Sequence, residues 1–143
     1  MKLTHTQNMK ASKSGMTLLE LTVVILVLLS LISILFIGAR AWKKGSDRAA
    51  SILQIRNVQQ AVRSFANMNG KNAGETVTTL QADIFGAGKF IENDPTGPGA
   101  THPAGTGVSY TIAAATIIPT VGTLYMTASD AEYAPTTGTT SDW

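Results

Sequence analysis

The sequence predicts an α+β chain: one long N-terminal helix, a membrane half followed by an amphipathic half, packed against a small antiparallel β head. Three observations lead there. Residues 21–39 hold no charged side chain. Beyond them Ile52, Ile55, Val58, Val62 and Phe65 recur at three- and four-residue spacing. After Gly70 the composition turns to Gly, Thr and Pro, with two short runs of β-branched and aromatic residues.

The 143-residue chain opens on a polar, basic stretch, residues 1–15, with Lys2, Lys10 and Lys13 and no acid. Set directly before an apolar run, this has the composition of a leader peptide and not of a fold. A helix rises about 1.5 Å per residue, so about 20 apolar residues cross a hydrocarbon core of about 30 Å. Residues 16–40 reach that length and form the expected transmembrane helix. Charge does not orient it, because Arg40, Lys43 and Lys44 on the far side match the three leader lysines.

Residues 41–70 form the amphipathic continuation. Arg56, Asn57, Gln60 and Arg63 lie between the periodic apolar positions, so one face is dry and the other wet. No proline precedes Pro95, and the helix is expected to run on to Asn69 and Gly70, where glycine suits a left-handed C-terminal cap. Gly38 and Gly45 are its weak points, each costing about 1 kcal/mol against alanine.

The head spans residues 71–133. "TTLQ", Thr78 to Gln81, has capping-box spacing and is expected to start a short helix through Phe85, stopped by Gly86 and Gly88. Residues 93–107 hold too many turn formers for regular structure. "VSYTIAA" (108–114) and "TLYMTAS" (123–129) read as two strands, with Val108, Tyr110 and Ile112 on one face and Leu124 and Met126 on one face. Two strands are marginal alone and should pack on the amphipathic helix. Residues 134–143 read as a flexible tail.

Without cysteine there are no disulfides, thiolate metal sites or thiol catalysis. Seven acids against two lysines beyond Gly70 speak against a nucleic-acid surface. His102, the one histidine outside the leader, sits between Thr101 and Pro103 with no serine–aspartate spacing or metal cluster beside it, and reads as a surface loop residue. The chain is therefore expected not to be an enzyme.

Glu20 is the residue that needs explaining. A charge at the centre of a bilayer costs at least about 2.5 kcal/mol on insertion scales, and no cationic side chain lies inside the apolar run. Two readings stand: the carboxylate lies wetted at the headgroup boundary, or it awaits a partner.

"SGMTLLE" followed by a long apolar helix resembles the cleavage region of type IV prepilins and of the pseudopilins of type II secretion. The likeness covers about half of the chain. It implies a pilin-like fold and a structural filament subunit. Cleavage would fall after Gly15, with Met16 as the N-methylated new terminus and Glu20 as the assembly carboxylate, paired with the α-amino cation that cleavage creates. It implies four kinds of partner: other subunits, a prepilin peptidase and methyltransferase, an inner-membrane assembly platform, and membrane lipid before assembly. The location implied is the bacterial inner membrane for the precursor, then a periplasmic or extracellular filament.

The chain also departs from the family. Met16 replaces the phenylalanine of many pilins, although some type IVb members begin with methionine. Ile37 and Gly38 stand where many pilins carry a helix proline, and the disulfide-closed loop of many major pilins cannot form. "FIENDPTGPG", residues 90–99, is similar to the proline-containing loops of major pseudopilins. Those proteins also bind calcium near the C-terminus, which makes Asp94, Asp130, Glu132 and Asp142 calcium candidates, although surface acids of this kind are ordinarily just solvated. No other cofactor is expected.

Other functions remain open at this point. One is a single-pass anchor for a binding head. Another is a secreted protein cut at "ARA", Ala39 to Ala41, although the apolar run exceeds a usual signal h-region of about 7 to 15 residues.

Overall fold

The structure, a computed structural model, describes Gly15, residues 17–136 and residues 138–143. The expected leader apart from Gly15, and the expected terminus Met16, lie outside the described residues. The described chain has an α+β layout: a long apolar N-terminal helix, a short second helix and a two-stranded antiparallel sheet. It divides into two compact units, Met1–Ala39 and Arg40–Trp143.

The first unit contains the apolar part of helix α1, Leu18–Met68, which is long and apolar enough to cross a membrane. Among the described residues none of that stretch is buried, and Leu18 and Leu35 are 83% and 74% exposed. Its hydroxyls are satisfied without solvent: Thr22 Oγ1 donates to the Leu19 carbonyl (2.9 Å), Ser30 Oγ to Val27 (2.7 Å) and Ser33 Oγ to Leu29 (2.8 Å). Backbone and side-chain polar groups are thus paired within the helix, as a hydrocarbon environment requires.

In the second unit, residues 40–68 of α1 supply one wall of the core. Ile55, Val58, Ala61, Val62, Phe65 and Ala66 are buried, and Arg56, Asn57 and Gln60 stay exposed, as the periodicity predicts. The helix passes through Gly45 without interruption and ends at a Schellman cap. Gly70 is left-handed (φ 61°), and the Lys71 N–H bonds the Ala66 carbonyl at 2.8 Å.

The second helix, α2, is Leu80–Ile84, and buries Leu80 and Ile84 against the core. The expected Thr78 cap is not formed. Thr79 is the N-cap and makes no side-chain cap bond, while Gln81, free of the box, donates from Nε2 to Asp94 instead (3.0 Å).

Strands β1, Tyr110–Ile112, and β2, Met126–Ala128, pair antiparallel with Tyr110 opposite Ala128 and Ile112 opposite Met126. They are shorter than the sequence suggests, because their flanks find other partners. Residues 74–77 pair with the connection after β1, through Val77 N–H to Thr116 O (2.7 Å) and Ile118 N–H to Glu75 O (3.0 Å).

Ahead of β2 a helix side chain stands in for a strand. Buried Gln59 donates from Nε2 to Thr123 O (3.0 Å) and accepts from Tyr125 N–H at Oε1 (2.9 Å). Tyr125 O meanwhile accepts from Ala113 N–H (2.9 Å), so the segment is held on both edges.

The expected loose tail is instead anchored. Trp143 is buried at 8% exposure under the Arg56 guanidinium, 4.8 Å from the ring centroid, and its carbonyl takes Gly122 N–H. A large aromatic ring beside an uncovered core edge gains more from burial than the tail loses in freedom.

Gln59→Leu fills similar space but strips two hydrogen bonds and leaves the Tyr125 N–H without a partner, so the head should lose about 2 kcal/mol by urea unfolding. Gly45→Ala, with nothing within 4 Å of the added methyl, should stabilise α1 by up to about 1 kcal/mol by the same measurement.

Candidate functional site

The start of α1 answers part of the question raised by Glu20. Thr17 Oγ1 accepts from Glu20 N–H (3.3 Å), and the Glu20 Oε2 atom accepts from Thr17 N–H (3.0 Å) and Thr17 Oγ1 (3.1 Å). The Thr17 carbonyl takes the first intrahelical bond, from Leu21 N–H (3.1 Å). This is a reciprocal capping box, T-x-x-E, with Thr17 as N-cap and Glu20 at the third helical position. Helix starts leave orphan N–H groups and a partial positive charge, and a carboxylate there satisfies both.

The sequence motif expected at Thr78 is therefore realised at Thr17, where the same spacing was legible. Only Oε2 of Glu20 is used in this way; Oε1 has no hydrogen bond among the described residues. Gly15 is described and exposed, two residues before the cap.

The four acids named as calcium candidates are not brought together. Among the described residues no group of three or more His, Cys, Asp or Glu side chains is placed to hold a metal. Asp94 instead folds its own loop, accepting from Thr96 N–H (2.8 Å), Thr96 Oγ1 (2.7 Å) and Gln81 Nε2 (3.0 Å). Asp130 caps the 3-10 turn Ala131–Tyr133 through Glu132 N–H (2.9 Å). Glu132 pairs with Lys44 at 2.7 Å, which raises the lysine above its ordinary pKa through a direct hydrogen bond. Asp142 offers its backbone carbonyl to Arg63 Nη1 (3.3 Å).

His102 lies in the expected loop, but the surface reading fails. It is buried, with its ring 4.6 Å from that of Tyr110 and 5.4 Å from that of Tyr133. Its Nδ1 accepts Ala104 N–H (3.0 Å), which leaves the ring proton on Nε2, facing Ser51 Oγ at 2.9 Å. Ser51 in turn donates to the Tyr133 carbonyl (2.8 Å). A serine nucleophile needs an unprotonated nitrogen towards it, so this buried pair is poised as a clasp between α1, the 93–107 loop and the 3-10 turn, not as a nucleophile and base. The clue lay in the helix face: Ser51 and Gln59 share the register of Ile55, Val58 and Val62, and a polar residue there must find a buried partner.

Burial pushes the Tyr110 hydroxyl up, and pushes that of Tyr125 up to about 12. The Tyr110 hydroxyl is buried without a hydrogen-bond partner among the described residues. An open cleft of about 1040 Å³ lies beside α2 and the 92–101 loop, with Gln54, Gln81, Phe85, Asp94 and Tyr110 among its lining.

Set against protein-family models, characterised proteins and solved structures, the chain matches none.

Burial is the main force holding His102 below its ordinary pKa, opposed by Asp47. The unfolded chain therefore binds a proton, from about pH 6.5 downward, that the folded chain refuses. Head stability should fall as pH drops from 7 through this window and level off once the folded imidazole titrates. His102→Gln should flatten that slope in thermal melts at pH 5 to 7.5.

Proposed function

We propose that this chain is a structural, non-enzymatic subunit of a type IV pilus or type II secretion pseudopilus. It is cut between Gly15 and Met16 by a prepilin peptidase, methylated at Met16, and held in the bacterial inner membrane before an assembly platform adds it to a periplasmic or extracellular filament. One observation supports this reading above the others. A carboxylate with one oxygen unused among the described residues sits at the first turn of a helix whose apolar stretch is not buried among them.

The capping box explains how that carboxylate is tolerated, and cleavage explains what it is for. Oε2 is tied to Thr17, so the carboxylate leans back over the helix start, where Met16 immediately precedes the cap. A new α-amino cation on Met16 meets Oε1 from the same chain or from a neighbour. In a low-dielectric bundle that attraction offsets part of the desolvation of both ions and fixes the axial register of subunits. The cap survives the cut, because Thr17 keeps its N–H and hydroxyl.

The cleft beside α2 favours a second reading, a single-pass anchored binding head.

Glu20→Gln separates the two readings, since glutamine reciprocates a capping box as glutamate does but bears no charge. The filament reading expects sheared fibre recovery to fall about tenfold, the effect of losing ~1.4 kcal/mol per contact, with helix content unchanged by circular dichroism. Fibres formed at wild-type yield by that variant would overturn it. N-terminal sequencing of mature protein should give Met16; a start at Trp42 would identify a secreted protein instead.

A further inference from the structure

Charge in the Arg40–Trp143 unit is sorted by element. Residues 40–68 of α1 hold Asp47 as their one acid among six lysines and arginines, whereas acids dominate the remainder. Ion pairs within the chain engage Lys43, Lys44, Lys71 and Lys89. Arg56 and Arg63 form no ion pair among the described residues; they rest on the Trp143 ring and the Asp142 carbonyl, in a cleft that Asp142 also lines.

Beside these guanidiniums stands Val121. It is 70% exposed, in a turn fixed to the same site by Gly122 N–H on Trp143 O (3.3 Å) and by Gln59 on Thr123 O. This flank of the helix is an apolar knob with a cationic rim.

The other flank is its complement. Asn57, Ala61 and Ser64 of α1 face Phe90 and Ile91 across an open groove of about 470 Å³, and Phe90 is 41% exposed. Glu92, next in the chain, is exposed on the neighbouring cleft beside α2 and has no ion-pair partner among the described residues. Knob and groove lie on different flanks of α1, so one copy cannot satisfy itself. Joining two copies leaves a knob and a groove still open, and such a heterologous contact propagates as a helical filament unless its rotation closes a ring.

We propose that copies of this head dock head to tail, the Val121 turn with its Arg56–Arg63 rim seating in the Phe90 groove against Glu92 of the next copy. This rests on the filament reading and specifies its outer contact.

The chain has no cysteine, so single cysteines report contacts cleanly. Full-length Val121→Cys and Ser64→Cys chains, differently tagged and co-expressed with the assembly machinery, should yield a mixed disulfide dimer on mild oxidation, with little of either homodimer. Fibres that form without the mixed dimer, or with homodimers in equal yield, overturn the docking and leave the filament reading intact. Mixed dimers from membranes that never yield fibres keep the docking contact and overturn the filament reading.

As a second measurement, Val121→Glu sets like charge against Glu92 and should lower fibre recovery about tenfold. Adding Glu92→Arg to the same chain should restore it. Unchanged recovery with Val121→Glu alone overturns the docking.

Discussion

A helix that is apolar on every face has to be covered by something other than water, and this constraint governs the whole chain. Each of the leucine, isoleucine and valine side chains along residues 18–37 is worth roughly 1.5 to 3 kcal/mol when taken out of water, and the described residues bury none of that stretch. Lipid or other copies of the helix are the two covers that physics offers. Everything polar along it is accordingly self-contained: three hydroxyls bond back to their own helix, and the carboxylate at its start closes a capping box.

From residue 40 onward the same helix does the opposite work, supplying a core wall to a head with little regular structure of its own. Two strands of three residues cannot hold together unaided. They persist because side chains from α1 reach into the backbone of the head. Gln59 replaces a missing strand neighbour, and Ser51 with His102 ties the long loop and the 3-10 turn to the helix. Each of these polar groups is buried and partnered, so each specifies a register where apolar packing alone would tolerate slippage. Tyr110, whose hydroxyl has no partner among the described residues, is the exception in this cluster.

Charge then divides the surface of the head. Of the four acids that in isolation suggest metal ligands, Asp94 and Asp130 are spent on a turn and a cap and Glu132 on the Lys44 pair. Arg56 and Arg63 lie on one flank of the helix, and exposed Glu92 lies beyond the Phe90 groove. Surface ion pairs within one chain contribute little to stability, and exposed charge acts mainly on how a charged partner approaches.

Sequence by itself determined the features that depend on near neighbours. The uncharged run, the apolar face of residues 52–65 and the left-handed glycine at Gly70 follow from spacing and backbone sterics, and were legible for that reason. The Thr17–Glu20 box was equally local and equally legible, although its spacing also occurs at Thr78, where no box forms. Only the tertiary structure decided that His102 is buried, that Gln59 takes the place of a strand, that the strands stop after three residues, and that Trp143 is anchored. Each of those outcomes turns on a partner about 40 to 90 residues away, and which buried polar group or ring finds which distant partner is settled by competition among contacts that no local pattern records.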